Sequence, residues 1–144
     1  MRPVGWTVPD AAEFVVLDTD VVSRLHKRTL PGSMLRRISG MSPCITFVTL
    51  AELEQWVILR GWGSARRASL ERWINMVPRL GYDDEVARIW GRLSAEGRRL
   101  GRTSPANDTW NAACCLAEGL PLATLTVKDY SDITERSGLR LITA

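Results

Sequence analysis

The stretch FVVLDTD, residues 14–20, is the strongest indication of the fold class of this chain. Its first four residues are apolar without polar alternation, which is typical of a β-strand buried on both faces of a parallel sheet. Asp18 ends this apolar run. Val22 and Leu25, three residues apart, then predict a short helix over residues 19–28. A buried strand that leads directly into a helix indicates a fold in which the two kinds of element alternate.

The rest of the chain repeats this alternation of strand and helix. Further strands are predicted at residues 43–48, 79–82, 120–124 and 139–143. Further helices are predicted at residues 49–61, 64–78, 83–101 and 104–119. The pattern predicts an α/β fold with a central, mostly parallel sheet flanked by helices.

The composition is that of one globular domain over residues 1–144, with 45% hydrophobic and 24% charged residues. Cys44, Cys114 and Cys115 are odd in number and two of them are adjacent, so they are predicted to be small buried residues. The sequence contains no Cys-x-x-Cys pair and no Cys/His cluster, which argues against structural zinc. Residues 1–9 lack the features of a signal peptide, and no apolar run is long enough to span a membrane. We therefore expect a cytoplasmic protein that does not associate with membranes.

Acidic residues lie near the ends of several predicted strands. Asp18 and Asp20 follow the first strand, and Glu52 lies soon after the second. Asp108 begins the helix before the fourth strand, and Asp129 lies a few residues beyond that strand. Ligands of parallel sheets bind beyond the carboxyl ends of the strands, and carboxylates are the ligands that Mg²⁺ and Mn²⁺ prefer. Converging carboxylates repel one another, and a bound cation relieves that repulsion, so the pattern indicates a metal site.

Each acid also has a purely structural interpretation. Glu52 stands three residues after Thr49 and could complete a capping box. Asp108 could complement the dipole of its own helix, and the remaining acids could be loop residues. Asp18 is the hardest to explain in this way, because a carboxylate that ends a buried apolar strand needs a partner.

Four segments, taken in order, resemble the motifs of PIN-domain ribonucleases, and more closely those of VapC toxins from bacterial type II toxin–antitoxin modules. They are VVLDTDV (15–21), TLAEL (49–53), NDTWNAA (107–113) and LATLTVKDY (122–130). The resemblance extends from about Phe14 to Ile142. It implies a PIN-like domain with a sheet of about five strands and with its acids gathered in a groove.

The resemblance also implies which residues are catalytic and hold the metal. The family's first three acids fall on Asp18, Glu52 and Asp108. Many members have an acid or Asn at the position of Thr126, whereas this chain has Asp129 three residues later. Members with an Asp-Phe pair here resemble Asp129 and the Tyr that follows it, so Asp129 is expected to be the fourth site acid.

Further residues are expected to support these acids. Asp20 stands where the family often has Asn or Ser, which indicates an outer ligand. Thr19 and Thr124 are placed to orient a carboxylate by hydrogen bonding. Asn111 stands where the family commonly has Ile.

The function implied by the resemblance is hydrolysis of RNA phosphodiesters by water that Mg²⁺ or Mn²⁺ activates. The family also implies a cognate antitoxin as partner and a homodimer. Arginine supplies 17 of the 19 basic residues, and arginine suits bidentate phosphate contacts. The candidate RNA contacts are Arg66, Arg67, Arg98, Arg99 and Arg102. A solvated helix face is the simpler explanation of such arginines.

Two other functions remain open at this stage. The stretch VVLDTD also resembles the first motif of haloacid-dehalogenase-type phosphatases, in which Asp18 would be the nucleophile. The later motifs of that family are missing, and Val21-Val22 replaces its Gly-Thr. The second alternative is a non-catalytic PIN-like module that binds RNA or a protein partner.

Overall fold

The computed structural model describes residues 13–144, which contain a five-stranded parallel sheet. The strands are β1 (Phe14–Leu17), β2 (Ser42–Thr46), β3 (Arg79–Leu80), β4 (Leu122–Ala123) and β5 (Leu141–Ile142). Their order in the sheet is β3-β2-β1-β4-β5, which places β1 at the centre. The predicted fold class is therefore confirmed. Residues 1–9 lie outside the described part of the chain, and a single domain over residues 1–144 stays a prediction.

Helices follow or connect the strands. They are α1 (Thr19–Lys27), α2 (Gly32–Ile38), α3 (Phe47–Leu59), α4 (Ser64–Met76), α5 (Asp84–Arg99), α6 (Ala106–Glu118) and α7 (Val127–Ser137). The sequence pattern does not predict α2 or α7, because few apolar side chains mark their buried faces. Residues 47–48, predicted as strand, form the start of α3 instead.

The two faces of the sheet are covered by two separate apolar clusters. Phe14 and Val16 of β1 point into one cluster, which also contains the buried residues of α5, α6 and α7. Val15 and Leu17 point into the other, with buried residues of α1, α3 and α4. This double burial explains why β1 is apolar without alternation. Cys44, Cys114 and Cys115 are free and buried in the first cluster, as predicted.

The register of the strands brings polar residues together at one edge of the sheet. Leu17 pairs with Ala123, so the next residues, Asp18 and Thr124, lie side by side. Val16 pairs with Cys44 on the other side, which places Thr46 of β2 next to Asp18 as well. No helix in the described range is long and apolar enough to cross a membrane.

Candidate active site

Asp18 lies at the carboxyl end of the central strand and caps α1. Its Oδ1 accepts a hydrogen bond from the backbone N of Thr19 at 2.9 Å, and its Oδ2 accepts one from the Thr124 hydroxyl at 2.8 Å. Asp18 is only 6% exposed, and this burial raises its pKa to about 6 in spite of these hydrogen bonds. The charges of Asp20 and Glu52 add to the increase.

Glu52 of α3 also faces this edge and takes no part in a capping box. The Thr46 hydroxyl caps α3 by accepting a hydrogen bond from the backbone N of Thr49 at 3.2 Å. Glu52 Oε1 accepts a hydrogen bond from the Thr19 hydroxyl at 2.6 Å. Its Oε2 accepts one from the Asn107 amide at 3.5 Å. The capping-box interpretation of Glu52 is therefore wrong.

Asp108 is partly buried in the first turn of α6, where its Oδ1 accepts a hydrogen bond from the Tyr130 hydroxyl at 3.2 Å. Burial is the largest cause that raises the pKa of Asp108 to about 6, and the charge of Asp18 is the next. Asp129 and Glu52 also raise this pKa through their charges. The structure thus brings Asp18, Glu52 and Asp108 into electrostatic contact.

Two buried residues that the sequence analysis did not assign to the site connect these acids. Asn111 donates from Nδ2 to Asp18 Oδ1 and to the Tyr130 hydroxyl oxygen, each at 3.4 Å. Asn111 Oδ1 accepts a hydrogen bond from the Thr46 hydroxyl at 2.6 Å. A polar residue on the apolar face of α6 is a signal that could have identified Asn111, because buried amides need partners. Tyr130 carried no such signal, since α7 is not predicted from the sequence.

The other predicted acids lie further out. Asp20 is partly buried in the first turn of α1, and Asp129 is partly buried in the first turn of α7. Their charges raise the pKa of Asp18 and of Asp108, respectively. Thr126 precedes α7, and its hydroxyl lies 3.1 Å from that of Thr124. Asp20 and Asp129 therefore contribute charge to the site rather than hydrogen bonds to its central acids.

The donor atoms of this site fit a hard divalent cation in their chemistry. Three carboxylates lie near one another, and no Lys or Arg of residues 13–144 forms a salt bridge with Asp18, Glu52 or Asp108. Burial is the main cause of the raised pKa values of Asp18 and Asp108, and the neighbouring carboxylates add to it, so a bound cation would stabilise the charged forms of both. Within this range no group of three or more His, Cys, Asp or Glu side chains is close enough to hold an ion as arranged here.

The predicted arginine contacts divide into two groups, all of them exposed. Arg66 and Arg67 lie on α4, where Arg66 packs 5.3 Å from the ring centre of buried Trp62. Arg98 and Arg102 line a cavity of about 120 Å³ between α5 and the start of α6, and Arg99 ends α5. The same cavity reaches residues 106 and 109, next to Asp108 in the chain. Within the second group, Arg98 and Arg102 thus share a cavity with residues of α6, the helix that carries Asp108, although Asp108 itself does not line it.

Comparison with known proteins identifies the family, although no protein-family profile matches the chain. Ribonuclease VapC4 of Mycobacterium tuberculosis is 31% identical over 90 residues, which are 61% of this chain and 69% of that protein. The chain belongs to the VapC ribonuclease family. This membership confirms the resemblance of the four motifs, and it excludes the phosphatase alternative.

Solved structures agree with this VapC membership. The match to the VapBC-5 complex of Mycobacterium tuberculosis has a TM-score of 0.65 at 28% identity and covers 91% of this chain and 98% of that chain. The VapBC2 complex of Rickettsia felis, bound to a DNA fragment from its promoter, gives a TM-score of 0.77 at 20% identity, with the same coverage. At that lower identity the second match supports the fold alone. The VapC fold therefore covers nearly the whole described chain.

Proposed function

We propose that this chain is a metal-dependent endoribonuclease and acts as the toxin of a toxin–antitoxin pair. The observation that carries the proposal is the gathering of Asp18, Glu52 and Asp108 at one edge of the sheet, without a basic partner among residues 13–144. The substrate class rests on the VapC family, whose relative in Mycobacterium tuberculosis is named a ribonuclease.

The proposed cofactor is Mg²⁺ or Mn²⁺, held by Asp18, Glu52 and Asp108, with Asp129 of α7 as the fourth acid. When bound, such an ion polarises a phosphodiester and lowers the pKa of water, which favours hydrolysis without a covalent intermediate. Thr19 and Thr124 orient the carboxylates of Glu52 and Asp18 through their hydroxyl groups. Asp20 adds negative charge beside Asp18 and acts as an outer residue of the site.

The proposed RNA contacts are the exposed arginines. Arg98 and Arg102 line the cavity at the start of α6, so they can hold a phosphate group of the RNA backbone near Asp108. Arg102 also forms an ion pair with Asp132 at 3.2 Å, which fixes its direction. Arg99 would extend this basic surface, whereas Arg66 and Arg67 lie on α4, on the other face of the sheet, and would contact RNA separately.

The proposed partners follow from the family. The similar solved structures are VapBC complexes, so we propose a cognate antitoxin that binds this chain and blocks its activity. A homodimer and a cytoplasmic location, where the RNA substrate lies, belong to the same proposal.

The experiment is incubation of the purified chain with a labelled RNA mixture in Mg²⁺, in Mn²⁺ and in chelator. We expect cleavage with either metal, none in chelator and none for Asp18→Asn. Asp84→Asn, which changes an exposed acid at the start of α5, is the matched control and should cleave normally. Cleavage that survives both chelator and Asp18→Asn would overturn the proposal. Binding of RNA without any cleavage would favour the non-catalytic PIN-like module.

A further inference from the structure

Asn111 and Tyr130 are buried polar residues at positions where apolar side chains would fill the space. Asn111 is 1% exposed and Tyr130 is 0% exposed. The motifs that this chain resembles commonly have Ile at the first position, and Phe in Asp-Phe pairs at the second. Burial of an amide and a phenol costs free energy unless their polar atoms find partners. This cost is offset here by partners that are themselves site residues.

The hydrogen bonds form a continuous bridge between two acids of the site. Asp18 Oδ1 accepts from Asn111 Nδ2 at 3.4 Å, and the same Nδ2 donates to the Tyr130 hydroxyl oxygen at 3.4 Å. The Tyr130 hydroxyl in turn donates to Asp108 Oδ1 at 3.2 Å. Both amide hydrogens of Asn111 are used in this way, and the phenol accepts one hydrogen bond while donating another. We call this arrangement the Asn111–Tyr130 bridge.

The bridge is held rigidly by the elements around it. Asn111 Oδ1 accepts from the Thr46 hydroxyl at 2.6 Å, and Thr46 also caps α3, the helix that carries Glu52. Tyr130 is fixed by complete burial in the apolar cluster of α6 and α7. The amide of Asn111 therefore cannot turn without breaking contacts to three different elements.

The bridge also determines which carboxylate oxygens stay available. It occupies Oδ1 of Asp18 and Oδ1 of Asp108. In the described part of the chain, Asp108 Oδ2 has no hydrogen-bond partner. One oxygen of Asp108 is thus directed by the bridge while the other remains available as a ligand.

We propose that Asn111 and Tyr130 are positioning residues, which fix the separation and orientation of Asp18 and Asp108 for binding of a divalent cation. The inference rests on the proposed function, since it concerns the same carboxylates. Hydrogen bonds to ligand carboxylates pre-organise a metal site, and their loss typically weakens metal binding by about 10–100-fold.

The test is a calorimetric titration of the full chain with Mn²⁺ alone. Tyr130→Phe keeps the ring and removes the hydroxyl, and Asn111→Leu replaces the amide by an apolar group of similar size. Tyr82→Phe makes the same chemical change at a tyrosine that is 78% exposed and is the matched control. We expect about tenfold weaker Mn²⁺ binding for each site variant and no change for Tyr82→Phe.

Two further readouts separate positioning from a general loss of structure. The double variant should weaken Mn²⁺ binding by less than the product of the two single effects, because both changes remove the hydrogen bond between Asn111 and Tyr130. For Tyr130→Phe, the Mn²⁺ concentration that gives half-maximal cleavage should rise by the factor measured in calorimetry. Its KM for RNA at saturating Mn²⁺ should equal that of the wild type.

Several results would overturn the inference. Unchanged Mn²⁺ affinity of folded Tyr130→Phe contradicts it, as does an equal loss in Tyr82→Phe. If Asn111→Leu does not fold, Tyr130→Phe alone decides. A wild-type chain that neither binds Mn²⁺ nor cleaves RNA overturns the proposed function together with the inference, whereas normal wild-type binding with unaffected variants overturns the inference alone.

Discussion

The two halves of α6 differ in burial and in chemistry, because the helix begins with exposed residues and its second half is buried or partly buried throughout. In the first half, Asp108 and Asn111 form hydrogen bonds with Asp18 directly after β1, with Thr46 of β2 and with Tyr130 of α7. In the second half, Cys114 and Cys115 lie in the apolar cluster with Ala113, and each is at most 1% exposed. Partial burial of the Asp108 carboxylate in the first half lowers the stability of the fold. Burial of apolar side chains in the second half increases it.

The two halves of α6 have different roles: one stabilises the fold and the other carries residues of the candidate site. The apolar half anchors α6 against the sheet, so that the polar half meets the carboxyl ends of the strands. Burial, and then the charge of Asp18, raises the pKa of Asp108 in the polar half, which disfavours its charged form when no cation is bound. Changes in the two halves should therefore affect activity and stability in different ways.

The largest expected effect is on catalysis, from Asp108→Asn in the polar half. We expect the rate of RNA cleavage to fall by at least about 100-fold, because a metal ligand supplies several kcal/mol of transition-state stabilisation. The melting temperature should stay the same or rise, since a buried charge is removed. Cleavage kinetics and thermal unfolding measure the two effects, with the exposed Glu135→Gln of α7 as control. A rate within about threefold of wild type would contradict the assignment of Asp108.

The next effect is the pH dependence of stability in the metal-free chain. Burial raises the pKa of Asp18 from 3.8 to about 6, so between about pH 4 and pH 6 the folded chain retains a proton that the unfolded chain has lost. The contribution of Asp18 to the free energy of unfolding must then decrease as pH rises through this window. The full loss is up to about 3 kcal/mol.

Asp18→Asn removes this contribution, together with the part of the raised pKa of Asp108 that the charge of Asp18 causes. The stability of the variant relative to wild type should increase from pH 4 to about pH 6.5 and then level off, as measured by urea unfolding in chelator. His26, whose pKa is lowered by burial, acts in the opposite direction but is common to both chains. Mn²⁺ should reduce the difference at pH 7 and leave it unchanged at pH 4. A difference that is constant with pH would contradict the raised pKa of Asp18.

A smaller effect is expected from Cys115→Ser in the apolar half. The new hydroxyl is buried where the thiol was 0% exposed, so the free energy of unfolding should fall by about 1–3 kcal/mol. The rate of RNA cleavage at 25 °C should stay close to that of wild type. Denaturant unfolding and cleavage kinetics test both statements. Loss of cleavage at unchanged stability would show that the two halves of α6 are not separate in function.

The smallest effect is expected from Arg98→Gln at the cavity beside α6. RNA binding should weaken by less than about tenfold, and the slope of log affinity against log salt should decrease by about one. The exposed Arg88→Gln, on the same helix but away from the cavity, makes the same change in net charge. Equal effects of the two variants would show that general charge, rather than the cavity, attracts the RNA.

Much of the fold could be predicted because its signals are local. The apolar run of β1 and the acid that ends it mark the central strand, and α1, α4 and α5 start within one residue of their predicted positions. The end of β2 was misplaced because Phe47 and Val48 continue an apolar run, whereas the Thr46 cap already begins α3. Such a cap depends on a side-chain hydrogen bond that apolar periodicity does not report.

The site was less predictable because its contacts join distant parts of the chain. The acids themselves follow strands and match family motifs, so Asp18, Glu52 and Asp108 could be proposed from sequence. The contact of Asn111 with Tyr130 joins α6 to a helix that was not predicted, and it depends on how the two helices pack. The structural alternative for Glu52 could be dismissed only when the partner of its carboxylate, Thr19, was known.

The central claim is that the acids at the edge of the sheet bind a divalent cation, and calorimetric titration with Mn²⁺ at pH 7.5 tests it most directly. We expect saturable binding to the wild-type chain and at least about tenfold weaker binding to Asp18→Asn and to Asp108→Asn, with Asp84→Asn unchanged. Equal Mn²⁺ affinity in all four chains, or no binding to the wild type, would contradict it.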